Sequence, residues 1–143
     1  MSAEFKTLDN GITIINDQID VESASIGVWI GAGSSNENND ECGIAHMLEH
    51  MAFKGTKRRS SLEIVEEIET VGGDMNAYTS KEMTNYYCRI LSQDISLALD
   101  VISDIVLNST IREQEVELER NVILQEIGQT NDTPDDIIFD WLQ

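Results

Sequence analysis

Apolar positions along the chain follow two periods, and the switches between them mark out the elements. Phe5 to Leu8 and Ile12 to Ile15 flank Asp9-Asn10-Gly11. An Asn-Gly pair supplies the positive φ angles of a tight turn, so this stretch is predicted as a β-hairpin. A third strand covers Ala24 to Gly31; its run Ile26-Gly27-Val28-Trp29-Ile30 is apolar on both faces, as expected of a central strand. The polar loop Ser34 to Glu41 leads into Ile44 to Phe53, which is apolar nearly all round, the pattern of a buried helix. Lys54 to Arg59 makes a basic turn, expected to be a solvated loop. Ser60 or Ser61 then caps a helix from Leu62 to about Val71, stopped by Gly72-Gly73. Met75 to Thr79 and Thr84 to Leu91 are predicted strands. Ser92 caps a helix over Gln93 to Leu107, in which Ile95, Ala98, Leu99, Ile102, Ile105 and Val106 keep the stripe of a helix packed on a sheet. Another helix covers Arg112 to Gln129, and Thr133-Pro134-Asp135-Asp136 is a capping box for a last one. Strands before and between runs of helices, without strict βαβ alternation, point to an α+β fold.

Composition narrows the class. The 143 residues, 41% of them hydrophobic, can bury one sizeable core, and no shift in composition marks a second domain. Acidic residues outnumber basic ones 27 to 9, a net charge of -18, which weighs against nucleic acid and anionic membrane as partners and favours neutral or basic ones. Cys42 and Cys88 form no disulfide framework and no CxxC metal pair, so reduced thiols in a cytoplasmic compartment are expected. The chain shows no export signal, and no apolar run approaches the roughly 18 residues of a membrane span. The last helix reaches Trp141-Leu142-Gln143 without a stop signal, so a longer parent protein is expected.

The chemistry concentrates in the apolar run. His46, Glu49 and His50 are its polar members, and the chain has no other histidine. Around a helix axis positions 46 and 50 lie about 40° apart and position 49 about 60° to the other side, so all three point one way. Burying two imidazoles and a carboxylate together is costly unless they are paired or bound to a metal, a condition zinc satisfies. The bland alternative is a pair of core histidines that satisfy each other. A catalytic zinc needs a third protein ligand beside an open position. Between Arg112 and Gln129, Glu119 and Glu126 sit within an apolar stripe of Val116, Val122, Ile123 and Ile127, whereas Glu113 and Glu117 point to solvent. Taken alone, Glu119 and Glu126 read equally well as ordinary surface glutamates.

His46-Met47-Leu48-Glu49-His50 is the inverted zincin signature. Its extension through Met51-Ala52-Phe53-Lys54-Gly55-Thr56, together with Gly72 to Thr79 and Glu119 to Glu126, resembles the metallopeptidase family of pitrilysin, insulysin and the mitochondrial processing peptidase β subunit, in a bacterial-type member. The resemblance spans almost the whole chain. It implies a mostly antiparallel sheet packed against helices, and one Zn2+ per chain with His46, His50 and Glu126 as ligands. It also implies Glu49 as the general base that activates water, and Glu119 as an additional catalytic-site glutamate orienting a histidine or the ligand helix. Asn76, Ala77 and Tyr78 are similar to the edge strand on which that family binds substrate as an added β-strand. Phe53 either lines the same cleft or fills the core. Cys42, one turn before His46, is read as a small buried residue rather than a ligand.

The family has a longer first domain and a second domain that closes the cleft. Residues 1–143 are therefore expected to be an incomplete N-terminal catalytic domain, inactive or weakly active alone. The expected function is a zinc endopeptidase acting on peptides held as an extended strand, with basic ones favoured by the charge, and homo- or hetero-oligomeric assembly is left open. The alternative is a non-catalytic peptide-binding or structural subunit of a processing complex, which would have no chemical reason to keep all four of His46, Glu49, His50 and Glu126.

Overall fold

The computed structural model describes residues 3–135 and 137–138. Two strands, β1 (Glu4–Thr7) and β2 (Thr13–Asn16), form the hairpin, paired antiparallel with Thr7 opposite Thr13. Only Gly11 has a positive φ there, at 88°. Asn10 instead uses its side chain, whose Oδ1 accepts from the Ile12 amide at 3.2 Å. The turn is therefore a wider one closed by a left-handed glycine rather than the two-residue Asn-Gly turn.

The main sheet contains β3 (Ser23–Ile30), β4 (Asp74–Thr79) and β5 (Thr84–Leu91), all antiparallel, in the order β3-β5-β4. The centre is β5. Among the described residues β3 has one neighbour, which corrects the expectation of a central strand. Its second apolar face is met within the strand: the Trp29 indole lies over Gly27, close enough that a Cβ there would sit 3.1 Å from the ring, and Trp29 stays 63% exposed.

Three helices, α1 (Ile44–Ala52), α2 (Ser61–Glu69) and α3 (Ile95–Asn108), pack on this sheet, and a fourth, α4 (Glu113–Asp132), packs on α1. Ile64 and Ile68 of α2, Ala98, Val101, Ile102 and Ile105 of α3, and Tyr86, Cys88 and Ile90 of β5 make the core. Ser60 is the cap of α2, in a reciprocal pair with Glu63, and the helix ends in a Schellman turn with Gly72 at φ 75°. Ser92 caps no helix: residues 92–94 form one 3-10 turn, and α3 begins at Ile95. The buried stripe of α3 is also rotated from the expected one, burying Val101 and Asp104 while Leu99 is 52% exposed. Pro134, Asp135, Ile137 and Ile138 are helical, and the rest of the expected last helix, Asp136 included, lies outside the described residues.

Asp104 is on the buried stripe because the basic turn pairs with it, which corrects the reading of Lys54 to Arg59 as a solvated loop. Asp104 accepts from Thr56 Oγ1 at 2.7 Å, Arg58 Nε at 3.1 Å, Arg59 Nη1 at 2.9 Å and Asn108 Nδ2 at 3.0 Å. Arg59 also binds Glu67 of α2 at 3.0 Å and Asp100 of α3. The turn thereby ties α2 to α3. Burial alone would push the Asp104 carboxyl up, but the hydrogen bonds from Thr56, Arg59, Arg58 and Asn108 outweigh it and hold it at about 2.

Removing one partner of such a buried network leaves the others uncompensated, so Asp104→Ala is expected to cost about 3–5 kcal/mol in urea unfolding. A loss under 1 kcal/mol, about that of an exposed ion pair, would show the network to be inert. Because the folded pKa lies below the unfolded value of about 3.9, the contribution is present above that pH and is lost as pH falls toward 2. Asp104→Asn should therefore flatten the fall of the urea midpoint over that interval.

Candidate metal centre

Helix α1 starts on Gly43, whose φ of 89° suits glycine. Its first free amides are met by one carboxylate: Glu37 accepts from Gly43 N at 2.7 Å and Ala45 N at 2.8 Å, placing negative charge at the helix N-terminus. The helix is buried only at Met51 and Ala52; Ile44 and Leu48 are 49% and 44% exposed, so the expectation of a helix buried all round is corrected. One side faces α4 and another faces β4.

Hydrogen bonds at one end set α4 against α1. Thr110 N donates to Gly55 O at 3.0 Å and Arg112 Nη2 to Lys54 O at 3.0 Å, so the turn into α4 is fastened to the segment that leaves α1. Ile111 within that turn has φ 35°, a strained value for a β-branched residue. On α4 only Glu119 and Ile123 are buried, while Val122 and Ile127 are 41% and 49% exposed. Glu113 and Glu117 face solvent.

The helix pair brings His46, His50 and Glu126 together. His46 Nε2 and His50 Nε2 are 3.1 Å apart, and each is 3.5 Å from Glu126 Oε2. Three ligands about 2.1 Å from a tetrahedral ion would lie roughly 3.4 Å from one another, so the triangle has the size of a zinc-ligand face. The donor set of two imidazoles and one carboxylate also suits zinc. The His46 and Glu126 side chains are 37% and 44% exposed, which leaves the fourth side open to solvent.

Behind His50 the polar contacts continue inward. Glu119 Oε1 is 2.8 Å from His50 Nδ1, and Glu119 Oε2 is 2.6 Å from Lys54 Nζ. Burial pushes the Glu119 carboxyl up, but the bonds from Lys54 and His50 outweigh it and hold it below the ordinary carboxylate range. An ionised Glu119 can only accept, so the proton sits on His50 Nδ1 and leaves the Nε2 lone pair turned toward His46 and Glu126. In the residue pattern Lys54 stands out only as part of the basic turn. The signal that finds it is its position four residues after His50, just past the end of α1.

Glu49 is half-buried, and no side-chain hydrogen bond or ion pair joins it to another described residue. It lies near Tyr86, whose hydroxyl is pushed up to about 12 by burial and then by the Glu49 charge. Strand β4 is at the sheet edge among the described residues, with Asn76 and Tyr78 exposed and Ala77 half-buried. The Ala77 amide donates to Asn76 Oδ1 at 2.8 Å. Phe53 packs on the core, with its ring centroid 6.3 Å from that of Tyr86. Cys42 is exposed rather than buried, because it precedes the helix in the loop, and it is not part of the metal-ligand group. A depression of about 270 Å³ beside the basic turn contains neither histidine, and its Arg58 and Arg59 are already paired with carboxylates, so the candidate chemistry belongs to the helix pair.

An α+β domain that sets a His-x-x-Glu-His helix against a glutamate-bearing helix belongs to the inverted-zincin class of metallopeptidase folds. The sequence model of the insulinase family, peptidase family M16, matches residues 13–143, and the chain belongs to that family. Over 135 residues it is 44% identical to the mitochondrial-processing peptidase subunit beta of Rattus norvegicus, covering 94% of this chain and 28% of that protein. It is 46% identical over 137 residues to an uncharacterized zinc protease, YmxG, of Bacillus subtilis, covering 95% and 34%. The crystal structure of a protease from Helicobacter pylori matches the fold with a TM-score of 0.91 at 28% identity, over 96% of this chain and 34% of that one. The chain thus spans about a third or less of the relatives it matches. Among the described residues no helix is long and apolar enough to cross a membrane.

Proposed function

We propose that residues 1–143 are the zinc-binding part of a longer endopeptidase that cuts peptides or unfolded segments held as an extended strand. The carrying observation is the triangle of His46 Nε2, His50 Nε2 and Glu126 Oε2, with sides of 3.1 to 3.5 Å. Names of relatives as zinc proteases and as a processing peptidase support the same reading. His46, His50 and Glu126 hold one zinc ion per chain in this proposal. When bound, the ion supplies a Lewis acid for water and for a peptide carbonyl.

Every other role falls to the chain itself. Glu49, half-buried on the face shared with both histidines, takes the proton from the attacking water and returns it to the leaving amine. Glu119 fixes the His50 tautomer. Strand β4 receives the substrate along its unpaired edge at Asn76, Ala77 and Tyr78, main chain to main chain, which places the peptide alongside α1. The net charge of -18 favours basic peptides. The relative's name, subunit beta, supports assembly with a second chain.

Metal-free protein titrated with zinc should bind one equivalent by elemental analysis, and His46→Ala or Glu126→Ala should bind none after desalting. Undiminished zinc in His46→Ala would refute the ligand set. In the full-length protein Glu49→Gln should keep its zinc and lose about a hundredfold or more in kcat/KM for an unstructured peptide. Cleavage at the parental rate would exclude Glu49 as the base and with it this mechanism.

A further inference from the structure

Lys54 holds a position that neither the ligand set nor the proton transfer accounts for. Its backbone is fixed at both sides: the amide donates to Met51 O at 3.2 Å and the carbonyl accepts from Arg112 at 3.0 Å. From there the side chain reaches across to α4, and Nζ meets Glu119 Oε2 at 2.6 Å. The other oxygen of that carboxylate meets His50 Nδ1 at 2.8 Å. Glu119 is only 6% exposed, whereas the Lys54 side chain is 31% exposed, so the lysine shields a buried charge from the rim of the helix pair.

We propose that Lys54 is a positioning residue of the metal centre: by anchoring one oxygen of Glu119 it holds the other against His50 and aims the His50 ring at His46 and Glu126. The inference rests on the zinc-site reading above. A carboxylate held at one oxygen can swing about its terminal torsion, which is broad for glutamate. Held at both oxygens, it presents a fixed acceptor, and the imidazole can then satisfy Nδ1–H in one ring orientation only. The charge balance requires the same partner. His50 is a neutral donor when its Nε2 serves as a ligand, so Lys54 is the cation within contact that compensates the buried Glu119. Without it, Glu119 gains by turning to water, and His50 loses its support.

The test is zinc affinity, read by competition with a chromogenic chelator on the metal-free protein. Groups that support a liganding histidine typically change metal affinity by 10–100-fold, and Lys54 stands one contact further out, so Lys54→Met is expected to weaken zinc binding about tenfold. Lys54→Arg, which keeps a cation within reach, should recover most of that loss. In a Glu119→Gln background Lys54→Met should have no further effect, because the route runs through that carboxylate; a general loss of structure would still add. Should Lys54→Met not fold, Lys54→Gln gives the same comparison. Parental zinc affinity in Lys54→Met, or an equal loss with Glu119 already replaced, would overturn the proposal while leaving the ligand set intact. Failure of the unsubstituted protein to bind zinc would instead overturn the ligand set, and this inference with it.

Discussion

The candidate metal-ligand triangle depends on holding two helices in one register. His46 and His50 come from α1 and Glu126 from α4, and a slip of one helical turn would carry the glutamate about 5.4 Å away, well beyond bonding reach. The bonds from Thr110 and Arg112 to the carbonyls of Gly55 and Lys54 oppose that slip at one end. The chain from Lys54 through Glu119 to His50 opposes it in the middle. Because these are directional contacts to backbone or to a buried charge, they define the register more sharply than apolar packing, for which the exposed Val122 and Ile127 leave little area.

A second set of buried charges does a different task. Asp104 gathers Thr56, Arg58, Arg59 and Asn108, and through Arg59 reaches Glu67 and Asp100. This network fixes the turn between α1 and α2, and with it the carbonyl groups that fasten α4. A chain with three acidic residues for each basic one has few cations to place, and four of the nine fall within six consecutive positions of this turn: Lys54, Lys57, Arg58 and Arg59. Three of them neutralise buried carboxylates, Lys54 that of Glu119 and Arg58 and Arg59 that of Asp104.

Local features were legible in the residues. The Ser60 cap with Glu63, the Gly72 stop of α2 and the bounds of β5 depend on a few neighbouring side chains and on left-handed glycine, so pattern alone located them. What misled was partnership at a distance. Lys54 to Arg59 reads as a solvated turn until Asp104, 45 positions after Arg59, is folded against it. Ile26 to Ile30 reads as a central strand because the pattern cannot tell an apolar face covered by another layer from one where an indole lies on a glycine. Cys42 reads as buried by composition, yet it stands in the loop that Glu37 ties to the start of α1.

By itself the sequence determined the donor types and half of their geometry. A spacing of four on a helix puts His46 and His50 on one side with Glu49 beside them, because the helical repeat is a local property of the backbone. The same spacing rule made Glu119 and Glu126 share a face, without deciding which of them meets a histidine ring from behind and which stands at the ligand corner. The resemblance implied different roles for the two, and only the tertiary structure shows the physical difference between them: Glu119 is buried between Lys54 and His50, whereas Glu126 is half-exposed at 3.5 Å from both imidazoles. The reason is that charge compensation acts between groups close in space, and the nearest cation to Glu119 is 65 positions away along the chain.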